Sequence, residues 1–320
     1  MPPHAPPKSP PSTSTSSKTT FIIGLSGPSS SGKTTLARLL RQIFNINPGS
    51  SNRTSPLRLF ILHEDDFYKT DKLIPRDTFT SAEHGERELD DWDCVESIDL
   101  PLLKRVLGHV KRCGVGPDDF ASKEDQNTVG ESGVDEGEVR EYQGRVREWV
   151  DALNMGLNSG AGAINGTATV NVCILDGFLL YPDPNSKHGS QEKELYEILD
   201  PLLDLKLFLP SSRQKTIERR TKRTGYVTLE GFWADPPGYV EDVVWPNYAR
   251  DHAWLFDGGD GDGDGSEASR QQAIDDGRVD RDVAARYGVH IGPGSGDVHL
   301  REILPWAIEK IRVVLGQAAT

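Results

Sequence analysis

Gly27-Pro28-Ser29-Ser30-Ser31-Gly32-Lys33-Thr34 follows the apolar run Phe21-Ile22-Ile23-Gly24-Leu25 and precedes Thr35-Leu36-Ala37-Arg38-Leu39-Leu40. A buried strand, a loop bounded by two glycines and a helix start together make a phosphate-binding P-loop. The glycines let backbone N–H groups converge on phosphate oxygens at a helix N-terminus. Lys33 reaches the outer phosphates, and the Thr34 hydroxyl is a ligand for Mg²⁺. The residues from Gly27 to Thr35 are therefore expected to bind a nucleoside triphosphate.

Working outward, Phe21–Ser26 is the expected first and central strand, and Lys33–Phe44 its helix. Leu57–His63 reads as a second strand ending on Glu64-Asp65-Asp66, and Val170–Leu175 as a third ending on Asp176-Gly177-Phe178. Leu205–Leu209 is another, followed by a basic helix over Ser212–Thr224, and Val289–Ile291 is a short last strand. Apolar residues at helical spacing mark Ile98–Val110, Glu138–Leu157 and Glu302–Leu315. Strands alternating with helices predict an α/β fold, a three-layer α/β/α arrangement around a central parallel sheet. Ligands of such sheets sit at the carboxyl ends of the strands. Gly27–Thr34, Asp65-Asp66 and Asp176 would then converge on one crevice.

The chain has 320 residues and a net charge of −13. Residues 118–141 and 256–282 account for all of that excess, −7 and −6, so the remainder is formally neutral. The acidity describes two inserts, at about 113–137 and 257–282, and no basic field for nucleic acid is present. Within the second insert, an EF-hand loop begun at Asp260 fails at its twelfth position, Gln271, where a bidentate Glu is required. Three cysteines, Cys94, Cys113 and Cys173, have no metal-ligand spacing and fit a reducing compartment. No apolar run reaches the length of a membrane span. Residues 1–20, mostly Pro, Ser and Thr, read as a disordered tail without targeting features. These properties lead us to expect a soluble protein of the cytoplasm or the nucleus.

A P-loop alone does not choose among kinases, GTPases and mechanical ATPases. The guanine-reading pattern [NT]-K-x-D is missing from the sequence. A small-molecule kinase needs a base for the acceptor hydroxyl, a metal partner for Thr34 and cations over the transferred phosphoryl. Asp65 and Asp66 are candidates for the base, although acids at strand ends are usually solvated turns or caps. Arg219, Arg220 and Arg223 are candidates for the cations, although a charge run is usually a solvated helix face. Their places beside a P-loop in an α/β order favour the catalytic reading.

At these residues the sequence resembles the nicotinamide riboside kinases, of the uridine kinase-like branch of P-loop kinases. The resemblance rests on the P-loop, Glu64-Asp65-Asp66-Phe67-Tyr68-Lys69, Trp92-Asp93, Leu175–Leu180, Arg219–Arg223 and Pro237-Gly238-Tyr239…Val244-Trp245-Pro246-Asn247-Tyr248. It implies a single kinase domain over 21–320 with a helical lid. The implied reaction is ATP- and Mg²⁺-dependent phosphorylation of the 5′-hydroxyl of nicotinamide riboside, and of nicotinic acid riboside, in NAD salvage. Asp65 would be the catalytic base, with Lys33 at the phosphates and Thr34, Asp65 and Asp176 around Mg²⁺. Asp65, Asp66, Phe67 and Tyr68 would line the acceptor site. Trp92 and Tyr226 would face the pyridine ring, and Asp93 and Arg220 would hold the ribose hydroxyls. Trp92 is equally readable as a buried anchor. Arg219 and Arg223 would cover the ATP phosphates, with Gly292-Pro293-Gly294 near the adenine. Three departures stand out: Asp176 where the family usually has Glu, Trp92 for the common Tyr, and extra sequence over Val227–Asp235. A uridine/cytidine kinase and a non-catalytic ATP-binding regulator are the alternatives. Oligomeric state is not readable from the sequence.

Overall fold

The computed structural model describes residues 19–45, 57–124, 127, 129–158, 170–223, 225–227, 231–256 and 266–317. The expected tail, up to residue 18, and residues 257–265 of the second acidic insert lie outside the described residues.

In chain order the elements are β1 (Thr19–Ser26), α1 (Lys33–Phe44), β2 (Leu57–His63), the hairpin β3 (Arg76–Ser81) and β4 (Gly85–Asp90), and α2 (Leu100–Cys113). Next come α3 (Glu136–Asn158), β5 (Val170–Asp176), α4 (Gln191–Leu199), β6 (Leu205–Phe208) and α5 (Arg213–Arg220). A ribbon of β7 (Tyr226–Val227) and β8 (Phe232–Trp233) leads through a π-helical turn, Val240–Val244, into α6 (Trp245–His252). The chain ends with α7 (Glu267–Asp276), α8 (Arg281–Arg286), β9 (Val289–Ile291) and α9 (Leu300–Gln317).

The central sheet has the order β2-β5-β1-β6-β9, and all of its pairings are parallel. Its residues alternate between two buried faces, as a doubly covered parallel sheet requires. Ile22, Leu62, Cys173 and Leu175 face α2, α4 and α6–α8. Phe21, Ile23, Leu59 and Ile174 face α1, α3 and α9. The register sets the site: Leu25 pairs with Asp176, Asp176 with His63, and Ser26 with Phe208. Strand ends that carry the P-loop, the Glu64-Asp65-Asp66 turn and Asp176 therefore share one edge. This is the P-loop kinase architecture expected from the sequence.

Differences from the sequence reading have local causes. The second helix runs on to Cys113 because Gly114, at φ +73°, ends it in a left-handed cap. The basic helix stops at Arg220 and continues as a turn. The second acidic insert, expected over about 257–282, holds α7 and the start of α8, with α7 burying only Ala273 and Ile274. So thin an apolar stripe leaves almost no periodic signal. The first insert also packs inward: Phe120 stacks on Phe67 with ring centroids 4.9 Å apart. Among the described residues, no helix is long and apolar enough to cross a membrane.

Candidate active site

β1 delivers the chain into the phosphate loop. Gly27 sits at φ +145°, and a Cβ there would collide with the carbonyl oxygen of Leu209, so only glycine fits. Gly32, at φ +98°, turns the loop into α1. Lys33 is 8% exposed and its Nζ donates to the carbonyl of Pro28 at 3.0 Å. Burial lowers its pKa, opposed by the charges of Asp176 and Asp65.

Thr34 Oγ1 donates to Asp176 Oδ2 at 2.6 Å, and His63 Nδ1 lies 3.1 Å from the same oxygen. Asp176 Oδ1 is buried without a hydrogen-bond partner among the described residues. Burial would raise the pKa of Asp176, but the His63 hydrogen bond and the Lys33 charge outweigh it and hold the carboxyl below its ordinary value. Asp65 is half-buried on the turn after β2, and burial together with Asp176 raises its pKa. Glu64 beside it is fully buried, accepts from Leu179 N at 2.9 Å and is pushed up to about 8 by burial.

One cavity joins Lys33, Thr34, Asp65, Asp176, Tyr68, Trp92, Asp93, Arg220 and Arg223. Trp92 is 7% exposed, meets Tyr68 edge-on at 5.3 Å, and lies 5.6 Å from Trp233. Its Nε1, also buried, has no hydrogen-bond partner among the described residues. Trp92 is thus both a buried residue and a cavity wall. Arg220 donates to Asp93 at 3.1 and 3.3 Å and to Asp235 at 2.7 and 3.1 Å. The Trp92-Asp93 turn is fixed from behind. Tyr239 Oη accepts from Trp92 N at 3.0 Å, and Asp91 accepts from Asn247 Nδ2 at 2.8 and 2.9 Å. That is what the Pro-Gly-Tyr and Trp-Pro-Asn-Tyr segments do here.

A second cavity adjoins the first and shares Ser30, Gly32, Thr35, Glu124 and Arg223 with it. Ser31, Arg219 and Pro293 line it, and Arg219 is tied to the carbonyl of Gly296 at 2.5 Å. Gly292 N donates to Phe208 O at 2.8 Å, and Gly294 turns the chain at φ +72°. Ser29 lines the first cavity, whereas Gly27 and Pro28 line neither and serve the loop's backbone. Phe67, expected at the acceptor, is fully buried under the site against Phe120. Asp66 lines the cavity, but its Oδ1 accepts from the backbone N–H groups of Lys123 and Glu124 at 2.7 and 3.0 Å. The side chain of Tyr226 lies outside the described residues.

His63, Glu64, Glu124, Trp233 and Asp235 join the site without having been singled out by the sequence reading. His63 and Glu64 had a signal, since they adjoin Asp65 at a strand end. Glu124 had none, because it sits in an acidic insert; it lines both cavities, and burial and Asp65 push its pKa up to about 7.

Among the described residues, no group of three or more His, Cys, Asp or Glu side chains is arranged to hold a metal alone. Mg²⁺ rarely uses such a cage; it takes one or two protein ligands and leaves the rest to water and phosphate. Thr34 and Asp176, with its unpartnered Oδ1, fit that requirement.

A P-loop at the carboxyl ends of a parallel sheet, facing carboxylates across a cavity, is the architecture of a P-loop kinase. The chain is 36% identical over 241 residues to nicotinamide riboside kinase of Schizosaccharomyces pombe, covering 75% of this chain and 83% of that one. It is 30% identical over 247 residues to nicotinamide riboside kinase of Saccharomyces cerevisiae, covering 77% and 83%. It is 27% identical over 156 residues to nicotinamide riboside kinase 1 of Mus musculus, covering 47% and 69%. No family model matches the chain. On these relations the chain belongs to the nicotinamide riboside kinase family.

Proposed function

We propose that the protein transfers the γ-phosphoryl group of ATP to the 5′-hydroxyl of nicotinamide riboside, and also of nicotinic acid riboside, yielding the mononucleotide for NAD salvage. The observation that carries this reading is one cavity that holds a carboxylate, Asp65, opposite the phosphate-loop residues Lys33 and Thr34 and closes on an aromatic wall. Family membership points to the same substrate and favours it over uridine or cytidine, and over a regulator without activity.

Asp65 accepts the hydroxyl proton; burial and the neighbouring Asp176 raise its pKa, which makes its carboxylate more basic. Asp93 and Arg220 offer an acceptor and a donor to the ribose hydroxyls, releasing part of their mutual pairing as they do so. Trp92 and Tyr68 face the pyridinium ring, which is permanently cationic and gains from aromatic faces. The unpartnered Trp92 Nε1 is a donor suited to a carboxamide oxygen. Lys33, Arg219 and Arg223 neutralise the triphosphate, and Pro293, between Gly292 and Gly294, lines the second cavity, where the adenine would lie. Thr34 and Asp176, with Asp65 close by, would hold Mg²⁺, which would supply charge neutralisation to the phosphates. The acceptor and donor walls belong to a single kinase domain.

An ADP-release assay with nicotinamide riboside, nicotinic acid riboside, uridine and cytidine tests the reading. We expect turnover on the pyridine ribosides. Asp65→Asn should lose about 10²–10⁴-fold in kcat while its ATP affinity stays within about twofold. Turnover confined to uridine and cytidine would refute the substrate, and a fully active Asp65→Asn would refute the base.

A further inference from the structure

The extra sequence between α5 and α6 returns through β8 into the acceptor cavity. Trp233 lines that cavity, with its ring centroid 5.6 Å from Trp92 and 5.8 Å from Tyr239. Its indole Nε1 donates to Asp235 Oδ1 at 3.0 Å. Asp235 is bound in turn to Arg220, which is 7% exposed and also holds Asp93. The resulting chain, Trp233–Asp235–Arg220–Asp93, carries two carboxylates on one guanidinium. These charges sit in the cavity wall, where they are weakly screened. An indole whose N–H is given to a carboxylate has a more electron-rich face, because hydrogen-bonded groups polarise one another. Such a face attracts a cation more strongly, whereas a neutral base gains only contact.

We infer that this lid extension is a specificity device: Trp233 forms a further aromatic wall of the acceptor site, and Asp235 is the positioning residue that orients it, together selecting a cationic N-ribosyl ring over a neutral one. The inference rests on the proposed pyridinium substrate and deepens it, because it gives the discrimination to residues of the extension.

The test is steady-state kinetics of the full chain and its Trp233→Ala, Trp233→Phe and Asp235→Asn variants, with nicotinamide riboside, uridine and ATP varied in turn. For Trp233→Ala we expect KM for nicotinamide riboside to rise about tenfold or more, with KM for ATP within about twofold. Trp233→Phe keeps an aromatic face but cannot reach Asp235. It and Asp235→Asn should each lose a smaller factor, about threefold, and both should narrow the preference for nicotinamide riboside over uridine. An unchanged KM for nicotinamide riboside in Trp233→Ala overturns the inference. So does an equal rise for nicotinamide riboside and uridine, or a parallel rise for ATP, which would mean general damage to the lid. A wild-type protein silent on nicotinamide riboside refutes the substrate before any variant is read. An active wild type with indifferent variants refutes the lid inference alone.

Discussion

Single residues in this site work under tight geometric limits. Gly27 is the clearest case, because its backbone occupies a region open to glycine and its missing Cβ makes room for Leu209 O. Gly27→Ala should destabilise the protein by roughly 2–3 kcal/mol and cut nucleotide affinity at least about tenfold. Urea titration and calorimetry with ATP measure the two effects, and a normal value for either would show that the loop relaxes around a side chain. Asp176 shows a different limit. A shorter carboxylate than the family's usual Glu is held by Thr34 and His63 through one oxygen, leaving the other unpartnered. The His63 pKa is correspondingly raised: burial opposes the charged form, but the hydrogen bond and field of Asp176 prevail. The sequence disclosed Asp176 because a polar residue ended an apolar run. It gave His63 no distinct role, because a histidine inside a strand is ordinarily core.

At the scale of elements, legibility followed periodicity. β1, β2, β5, β6 and β9 were readable because their apolar residues concentrate in short stretches bounded by polar or glycine residues. The β3–β4 hairpin was not, since its burial is shallow and its sequence, rich in Arg, Asp, Glu and Thr, offers only Phe79 and Leu89 to the neighbouring core. α4 and α6 escaped for a related reason: each is only two to three turns long and presents a brief apolar stripe. The first insert was legible as an insert but not as part of the site. Its attachment depends on backbone N–H groups of Lys123 and Glu124, which no side-chain pattern reveals. Those bonds to a carboxylate are worth about 1.5–3 kcal/mol each. Asp66→Ala should therefore raise the rate of proteolytic cleavage within 118–132 by about a hundredfold or more while the global melting temperature moves little. If the cleavage rate stays at the wild-type value, Phe120 on Phe67 and the bond from Arg38 to Glu124 O hold the segment unaided.

For the molecule as a whole, stability is tied to pH through buried titratable groups on the α6 side of the sheet. His252 is buried between Phe208 and Tyr248, with its Nδ1 3.1 Å from Tyr248 O, and burial lowers its pKa to about 4. The unfolded chain, with an ordinary imidazole, binds the proton first. The contribution is thus complete above pH about 6.5 and is lost as pH falls toward 4. Wild type should lose up to about 3 kcal/mol over that interval that His252→Phe does not lose. Urea midpoints at several pH values would reveal the difference, and parallel curves for the two proteins would remove His252 as the cause. Glu64, raised to about 8, acts in the opposite sense: the folded state keeps its proton longer than the unfolded chain, and stability is lost as pH rises from the ordinary carboxylate range to about 8. The sheet has one more consequence at this scale. β1 runs eight residues from Thr19 to the phosphate loop, so its start lies about 26 Å from the nucleotide end of the molecule. A fusion partner or surface linkage attached directly at Thr19 would start from the far edge of the sheet, away from the entrance to both cavities on an immobilised enzyme.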